Sequence, residues 1–570
     1  MKVIIVGGVA GGATAAARIR RLDEKAEIVI FERTEFISYA NCGLPYFVGD
    51  VITDPDDLTL QSPEGFFRRF RIVAKVRHEV VAIHPEKKAV TVKNLETGEI
   101  FEESYDKLLL SPGAKPILPK IEGGKRVFSL RTVEDTFRIK SYINQHKPQS
   151  AILAGGGFIS LELAENLREL GLDVTIVQSG NQLMNPFDPE MAAFIHNELR
   201  RHGVNLVFGH MVEKISDNES GVTVTLDDGC TMSADMAVAA IGVAPDTTLA
   251  KDAGIELGVK GSIVVNDKME TSAPDIYAVG DAVQVKNFVT EADDVIALAG
   301  PANKQGRIAA DNICGLDSRY HGSQGSSVLK LFDLTVATTG INEKTAKRLG
   351  IKSDSVILSP MSHAGYYPGG MVMTMKVVFE KDTYRLLGAQ IVGYDGVDKR
   401  IDVLATAIRA GMKATELREL DLAYAPPYSS AKDPVNMAGF MIDNIATGVL
   451  KQWHIEDADK LPRDGSVTLL DTRTVREYQR GHIEGFYNIP VDELRDRLDE
   501  VDPSKPVYMI CQSGLRSYIS CRILEGNGYT AYNFAGGFRF YEAVMNDKAL
   551  IKRATACGMD NLSEAKRVDF

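Results

Sequence analysis

KVIIVGGVAGGATAAARIRRL, residues 2–22, decides the fold of this chain. A short apolar, β-rich run meets a cluster of glycines and then a helix-forming run. That order is what a strand–turn–helix unit of a parallel sheet requires. Gly7, Gly8, Gly11 and Gly12 fall at the turn, with Val9 and Ala10 between them. Glycine permits the tight turn and lets the backbone approach a pyrophosphate, whose charge the helix N-terminus attracts. The pattern departs from G-x-G-x-x-G, because Val9 stands at its second glycine. Glu32 strengthens the reading. It ends the next strand, EIVIFER, 25 residues after Gly7, where a carboxylate can bond ribose hydroxyls. A solvated charge at a strand end is the plainer alternative.

The same grammar recurs at 150–170, SAILAGGGFISLELAENLREL, so the chain is expected to hold two nucleotide-binding domains. Gly155 and Gly157 match the pattern, and Ser160 stands at its third glycine. The strand-end position 23 residues after Gly155 is Gln178, and no Lys or Arg occurs between 179 and 199. A carboxylate there would favour NADH, and a nearby arginine the 2′-phosphate of NADPH. With neither present the reading leans to NADH, with NADPH as the alternative.

Length and composition set the frame. The 570 residues suggest roughly four domains, and 44% hydrophobic with 25% charged residues fits a globular protein with several cores. A formal net charge of −12 argues against nucleic-acid or anionic-membrane partners. Six cysteines without a CxxC give neither a disulfide framework nor a metal signature, which points to a reducing compartment, the cytoplasm. The glycine-broken start is unlike a signal peptide, and no apolar run is long enough for a membrane helix. From about 325 the text turns to β-rich hairpins and one helix, IDVLATAIRAGM, which suits an interface domain. A new strand alternation starts at VTLLDTR. The expected division is therefore 1–110 with 246–325, then 111–245, 326–448, a linker at 449–463, and 464–570.

Two further segments identify the first nucleotide. YDKLLLSPGAKP (105–116) and TSAPDIYAVGDAV (271–283) resemble the flavin-site segments of the pyridine nucleotide–disulfide oxidoreductases, and all three segments occur in that family's order. The resemblance implies non-covalent FAD at 1–110 with 246–325, NAD(P)H at 111–245 and a homodimer formed through 326–448. The cofactor contacts it implies are Gly7, Gly8, Val9, Ala10, Gly11, Gly12, Glu32, Arg33, Asn41, Val80, Ser111, Gly113, Gly155, Gly157, Phe158, Ile159, Glu162, Gln178, Gly242, Gly280, Asp281 and Ala299. Asp281 would bond the ribityl chain and Glu162 would orient the nicotinamide side.

SYANCGLPY (38–46) carries one cysteine, and the next is Cys230. Read alone, Cys42 is a small hydrophobe in a turn. The segment resembles the active-site turn of coenzyme A disulfide reductases, in which the substrate thiol replaces a second cysteine. The resemblance implies a Cys42–S–S–CoA mixed disulfide, with the resting thiolate favoured by the helix after ALAGPANKQGR and by nearby cations. It assigns coenzyme A binding to Thr14, Arg18, Arg21, Ser38, Asn41, Asn303 and Lys432. It also sends Tyr366 and Tyr424 to the partner's sulfur site, with Tyr367 and Tyr428 as adjacent candidates. A basic ligand near position 70 is unmatched, since Arg69 and Arg71 flank Phe70. NADH oxidases and peroxidases of this fold pair their cysteine with a histidine where this chain has Ala10.

VTLLDTRTVREYQRGHIEGFYNIP (467–490) and VYMICQSGLRS (507–517) resemble a rhodanese domain. Cys511 opens the loop CQSGLR, whose successive N–H groups can form an anion nest. Arg516 and the helix dipole should add positive field that favours a bound persulfide. Asp471 and Arg473 read as braces and Cys521 as core, while Cys230, Cys314 and Cys557 show no supporting pattern.

The fold class expected is α/β: two Rossmann-like dinucleotide-binding domains, an α+β dimerisation domain and a C-terminal rhodanese α/β domain. The function expected is NAD(P)H-dependent, FAD-mediated reduction of coenzyme A persulfide or polysulfide through Cys42, releasing hydrosulfide, with Cys511 carrying sulfur. Coenzyme A disulfide reduction is the second reading. A sulfur-trafficking or redox-sensing module is the alternative of another class.

Overall fold

The computed structural model describes residues 1–552 and 557–559. The rest of the expected 464–570 domain, residues 553–556 and 560–570, lies outside the described residues. The chain divides into two compact units, the first made of residues 1–181, 203–325 and 556–559 and the second chiefly of 182–202 and 326–555.

The first unit is built on two five-stranded parallel sheets. One runs in the order Ile276–Ala278, Lys107–Leu110, Lys2–Val6, Glu27–Phe31, Val73–Lys75. Val3, Ile4, Ile5, Leu108 and Leu109 are fully buried. Both faces of such a sheet are covered, which is why its strands read as unbroken apolar runs. Each of these side chains contributes about 1.5–3 kcal/mol by leaving water. The other sheet runs Val127–Phe128, Met236–Ala239, Ser150–Ala154, Asp173–Gln178, Asn205–Phe208. Both glycine-rich stretches therefore leave a central strand and enter a helix, Ala10–Leu22 in one case and Phe158–Glu169 in the other.

The second unit has a five-stranded antiparallel sheet and, separately, a five-stranded parallel one. The parallel sheet runs Gln452–Trp453, Ala531–Phe534, Val507–Ile510, Thr468–Asp471, Tyr487–Asn488. The segment 182–202, whose sequence lies within the expected 111–245 domain, belongs to this unit. Its helix Pro189–Arg201 explains why. Asp188 and Glu190 reach the Lys376 ammonium of the antiparallel sheet, and Glu343 joins them at 2.5 Å. Gln390 accepts from the Asp188 N–H at 2.7 Å. Burial alone would lower the Lys376 pKa, but Glu190, Asp188 and Glu343 hold it above its usual range. Asp547, buried near the end of the helix Gly537–Lys552, binds Arg200 at 2.6 Å and His196 at 3.0 Å.

One expectation fails here. Cys230 and Cys557 form a disulfide across a sequence separation of 327. Spacing could not reveal it, because the fold alone brings the two positions together.

Lys376→Ala strands two buried carboxylates, Asp188 and Glu190, and the half-buried Glu343 without their cation. It is expected to destabilise the second unit by about 3–5 kcal/mol, read as an earlier denaturant midpoint in the fluorescence of Trp453, the only tryptophan.

Candidate active sites

In the first unit the site is assembled by backbone contacts that exclude side chains. Gly7 has φ +91°, and a Cβ there would overlap the Ser111 carbonyl; one on Gly12 would overlap the Gly7 carbonyl. The turn is thereby closed down onto the N-terminus of Ala10–Leu22. Glu32 is buried and accepts from the Gly8 N–H at 2.9 Å and from the Thr34 N–H and hydroxyl at 2.9 Å. It is a fixed acceptor at the mouth of the turn, not a solvated charge. Gly280 has φ +85°, and its N–H donates to Gln305 at 2.7 Å. Asp281 beside it is paired with Arg131 at 2.6 Å. Arg33 is held by Asp246 at 2.9 Å, and Asp246 in turn donates its N–H to the Gly113 carbonyl. Val80 is buried in the core, so only its backbone can serve a ligand. These groups fit a dinucleotide whose pyrophosphate lies on the glycine turn and whose ribose meets Glu32.

The helix Ala10–Leu22 lies against Ala299–Ile313, where a Cβ on Gly306 would overlap the Gly11 carbonyl. That approach aligns the residues assigned to coenzyme A. Thr14 donates to Asn303 at 2.7 Å, and Arg18 to Asp311 at 2.7 Å. Arg21 is exposed on the same helix. Ser38 takes φ +48° and donates its N–H to the Gly8 carbonyl at 2.8 Å. Arg69 lies in the helix Pro63–Phe70, and Arg71 caps it in a left-handed conformation over the Phe67 ring. Neither is brought to the aligned pairs by any of these contacts.

Cys42 sits in the single helical turn Asn41–Gly43 and is exposed. Of the expected cationic surroundings, Arg131 acts on Cys42, but carboxylates outweigh it. Partial desolvation, then the negative charges of Glu162 and Asp281, raise the Cys42 pKa, and Arg131 opposes them. Glu162 projects from Phe158–Glu169 and accepts from the Tyr46 hydroxyl at 3.4 Å. Burial pushes its carboxyl up to about 7, with Tyr46 acting against and Glu165 adding to the shift. Tyr46, Arg131, Gln305 and Asp311 were missed in the sequence: Tyr46 and Gln305 lie within the quoted segments SYANCGLPY and ALAGPANKQGR, but each of the four acts through a side-chain partner that only packing brings to it.

At the second glycine turn Gly155 has φ +105°, where a Cβ would overlap the Ala240 carbonyl. Gly157 caps the helix that begins with Phe158 and Ile159, and nothing crowds its Cβ position. Ser160 is buried, and its hydroxyl has no hydrogen-bond partner. Gln178 ends its strand half-buried. Gly242 follows the neighbouring strand with φ +139°.

The second unit holds the remaining candidates. Cys511 is fully buried at the end of Val507–Ile510. Its sulfur accepts from the Gly514 N–H at 3.1 Å and the Ser517 hydroxyl at 3.2 Å, at the start of the helix Leu515–Gly526. The Arg516 guanidinium donates to Glu477 at 2.6 and 2.8 Å, and it also interacts electrostatically with Cys511. The pairing with Arg516 holds the Glu477 carboxyl at about 2. Asp471 and Arg473 are buried together, with the Arg473 guanidinium stacked 3.7 Å from the Phe538 ring centroid, as braces would be. Cys521 lies in the core. Tyr366 and Tyr424 are exposed and share a 2.7 Å hydrogen bond, while Tyr367 packs edge-on against His363. Lys432 is exposed just before the helix Pro434–Ala446.

Comparison with known proteins agrees with this architecture. The description "Pyridine nucleotide-disulphide oxidoreductase" matches residues 1–306, and the dimerisation domain of the same family matches 326–434. The chain belongs to the pyridine nucleotide-disulphide oxidoreductase family. A rhodanese-like domain follows at residues 454–543. Coenzyme A disulfide reductase of Staphylococcus aureus (strain JH9) is 38% identical over 440 residues, 77% of this chain and 99% of that protein. The crystal structure of reduced Bacillus anthracis CoADR-RHD is 50% identical, with TM-score 0.93 over 95% of this chain and 98% of that one. A NAD-dependent persulfide reductase from A. fulgidus is 35% identical, with TM-score 0.89 over 95% and 100%. This oxidoreductase is thus a flavin-dependent enzyme fused to a rhodanese domain, and its family uses FAD and NAD(P)H. Among the described residues no helix is long and apolar enough to cross a membrane.

Two measurements test the electrostatics around Cys42. Because the folded-state pKa of Glu162 lies near 7, above the unfolded value of about 4.3, the native state binds the extra proton between them. Stability is therefore present at low pH and falls as pH rises toward 7. Relative to wild type, Glu162→Gln should gain thermal stability between pH 5 and pH 8. The same variant removes a negative neighbour from Cys42. The Cys42 reaction with iodoacetamide at pH 8, followed by peptide mapping, should be faster than in wild type, because the variant lowers the thiol pKa.

Proposed function

We propose that this oxidoreductase reduces the sulfane sulfur of a small thiol persulfide, with coenzyme A persulfide as the favoured substrate and hydrosulfide as product. One observation carries the reading: an exposed cysteine without a second cysteine in its turn, Cys42, and a buried cysteine in a nest of donors, Cys511, occur in one chain. A thiol substrate supplies the second sulfur that the Cys42 turn lacks. A donor nest around Cys511 suits a carried sulfur anion.

The glycine turn at Gly7–Gly12, Glu32 and the Gly280–Asp281 segment would hold FAD, and the turn at Gly155–Gly157 would hold NADH. Bound FAD supplies acceptance of hydride from the nicotinamide and return of an electron pair to sulfur. Thr14, Arg18, Arg21, Ser38, Asn41, Asn303 and Lys432 would bind coenzyme A. The Cys42 thiolate attacks the thiol-bearing sulfur of the persulfide, forming Cys42–S–S–CoA and releasing hydrosulfide. Two electrons then cleave that bond to two thiolates. Overall, persulfide, NADH and one proton give thiol, hydrogen sulfide and NAD⁺. Glu162, titrating near 7, is placed to hold a proton beside Cys42 and Tyr46. In a homodimer Tyr366 and Tyr424 would serve the partner's sulfur site. Cys511 would deliver sulfane sulfur, and the enzyme would work in the cytoplasm.

Coenzyme A disulfide reduction is the second reading, favoured by the likeness to the S. aureus enzyme. It leaves Cys511 idle.

Cys42→Ser should lower NADH oxidation with coenzyme A persulfide by about a thousandfold or more, and full turnover would sink the proposal. Cys511→Ser should leave that reaction within about twofold while slowing reduction of polysulfide or thiosulfate much more. Thiosulfate sulfurtransfer indifferent to NADH, without persulfide reduction, would point instead to a sulfur-trafficking module.

A further inference from the structure

The disulfide between Cys230 and Cys557 lies outside the sites described above. Cys230 ends a hairpin turn pinned by the Leu226 N–H to the Cys230 carbonyl at 2.9 Å and by the Cys230 N–H to Asp228 at 2.9 Å. Its partner lies in the described stretch 557–559, each residue of which makes a contact. Cys557 sits with its Cα 5.8 Å from that of Cys230, an ordinary span for a bridge. Gly558 adopts φ +72°, and a Cβ there would come within 2.8 Å of the His210 ring, so only glycine allows this approach. Met559 pairs antiparallel with Val207 and packs on the apolar cluster containing Ile152, Val177 and Ile215.

Val207 belongs to Asn205–Phe208, the edge strand of the second parallel sheet. An edge strand presents unpaired backbone groups, and a short added segment covers them. Ordering a chain segment on a surface costs conformational entropy. The covalent link converts the docking of 557–559 into an intramolecular event. Bridges of this kind in a reducing compartment are characteristically transient and redox-responsive.

We propose that Cys230 and Cys557 form a redox-responsive clasp, a modification site for low-molecular-weight disulfides that sets whether Cys557–Met559 covers the sheet edge. One thiolate attacks a sulfur of R–S–S–R, releasing RS⁻ and leaving a mixed disulfide on the protein. The second thiolate attacks the protein sulfur of that bond and releases the other RS⁻. Two protein thiols are oxidised to one disulfide, and R–S–S–R is reduced to two RSH. Cys42 and Cys511 take no part, so the clasp stands or falls independently of the proposed reductase chemistry.

The test uses the full chain with its flavin, reduced, desalted and treated with 2-hydroxyethyl disulfide. Peptide mapping without reduction should give one cross-linked pair containing Cys230 and Cys557, lighter than the reduced peptides by the two hydrogens lost. Separate hydroxyethyl adducts on the two cysteines, or pairing of either with another cysteine, would overturn the proposal. Amide exchange in Asn205–Phe208 should quicken about tenfold on reduction. Cys557→Ser, with unchanged flavin absorbance, should exchange at the fast rate in both states. Exchange equal in oxidised and reduced wild type would mean that the segment docks without the bond, and the clasp would be refuted.

Discussion

The first site depends on one close approach, the backbone of Gly11 against Gly306 where two helices meet without Cβ atoms between them. Only glycine at 306 lets Ala10–Leu22 and Ala299–Ile313 come so near, because a Cβ there would meet the Gly11 carbonyl at 2.4 Å. Their separation sets the Thr14–Asn303 and Arg18–Asp311 pairs. It also brings Gln305 to the Gly280 N–H, and with it the turn that carries Asp281. Packing, turn geometry and ligand contacts are therefore consequences of the same missing methyl groups.

The two chemically interesting cysteines live in opposite environments. Cys42 is exposed, but partial desolvation, and then the carboxylates Glu162 and Asp281, hold its thiol protonated to higher pH than usual. Cys511 is sealed from solvent, with a backbone N–H and a hydroxyl aimed at its sulfur. The contrast fits a division of labour. In the proposed chemistry, a sulfur that meets a large substrate stays accessible, whereas a carried sulfur is held by fixed donors. The Arg516–Glu477 pair fixes a guanidinium that also interacts electrostatically with Cys511.

The motifs legible in the chain were those whose chemistry is local. Gly7, Gly155 and Gly280 occupy positive φ because the turns they make demand it, and Glu32 ends a strand beside one of them. Arg131, Tyr46 and Asp311 left no such trace, since a side chain that matters only through a distant partner has no periodicity to read. The same reason hid the membership of Pro189–Arg201 in the second unit, which rests on Lys376, Gln390 and Asp547.

By itself the sequence determined the α/β class, the two glycine turns, the lone cysteine of SYANCGLP and the rhodanese loop, all of them properties of contiguous residues. The tertiary structure alone decided the charges around Cys42, the pairing of Arg516 and the joining of Cys230 to Cys557. Each of these is a meeting of groups far apart in the chain, and their energies are set by burial and distance, which neighbours in sequence do not encode.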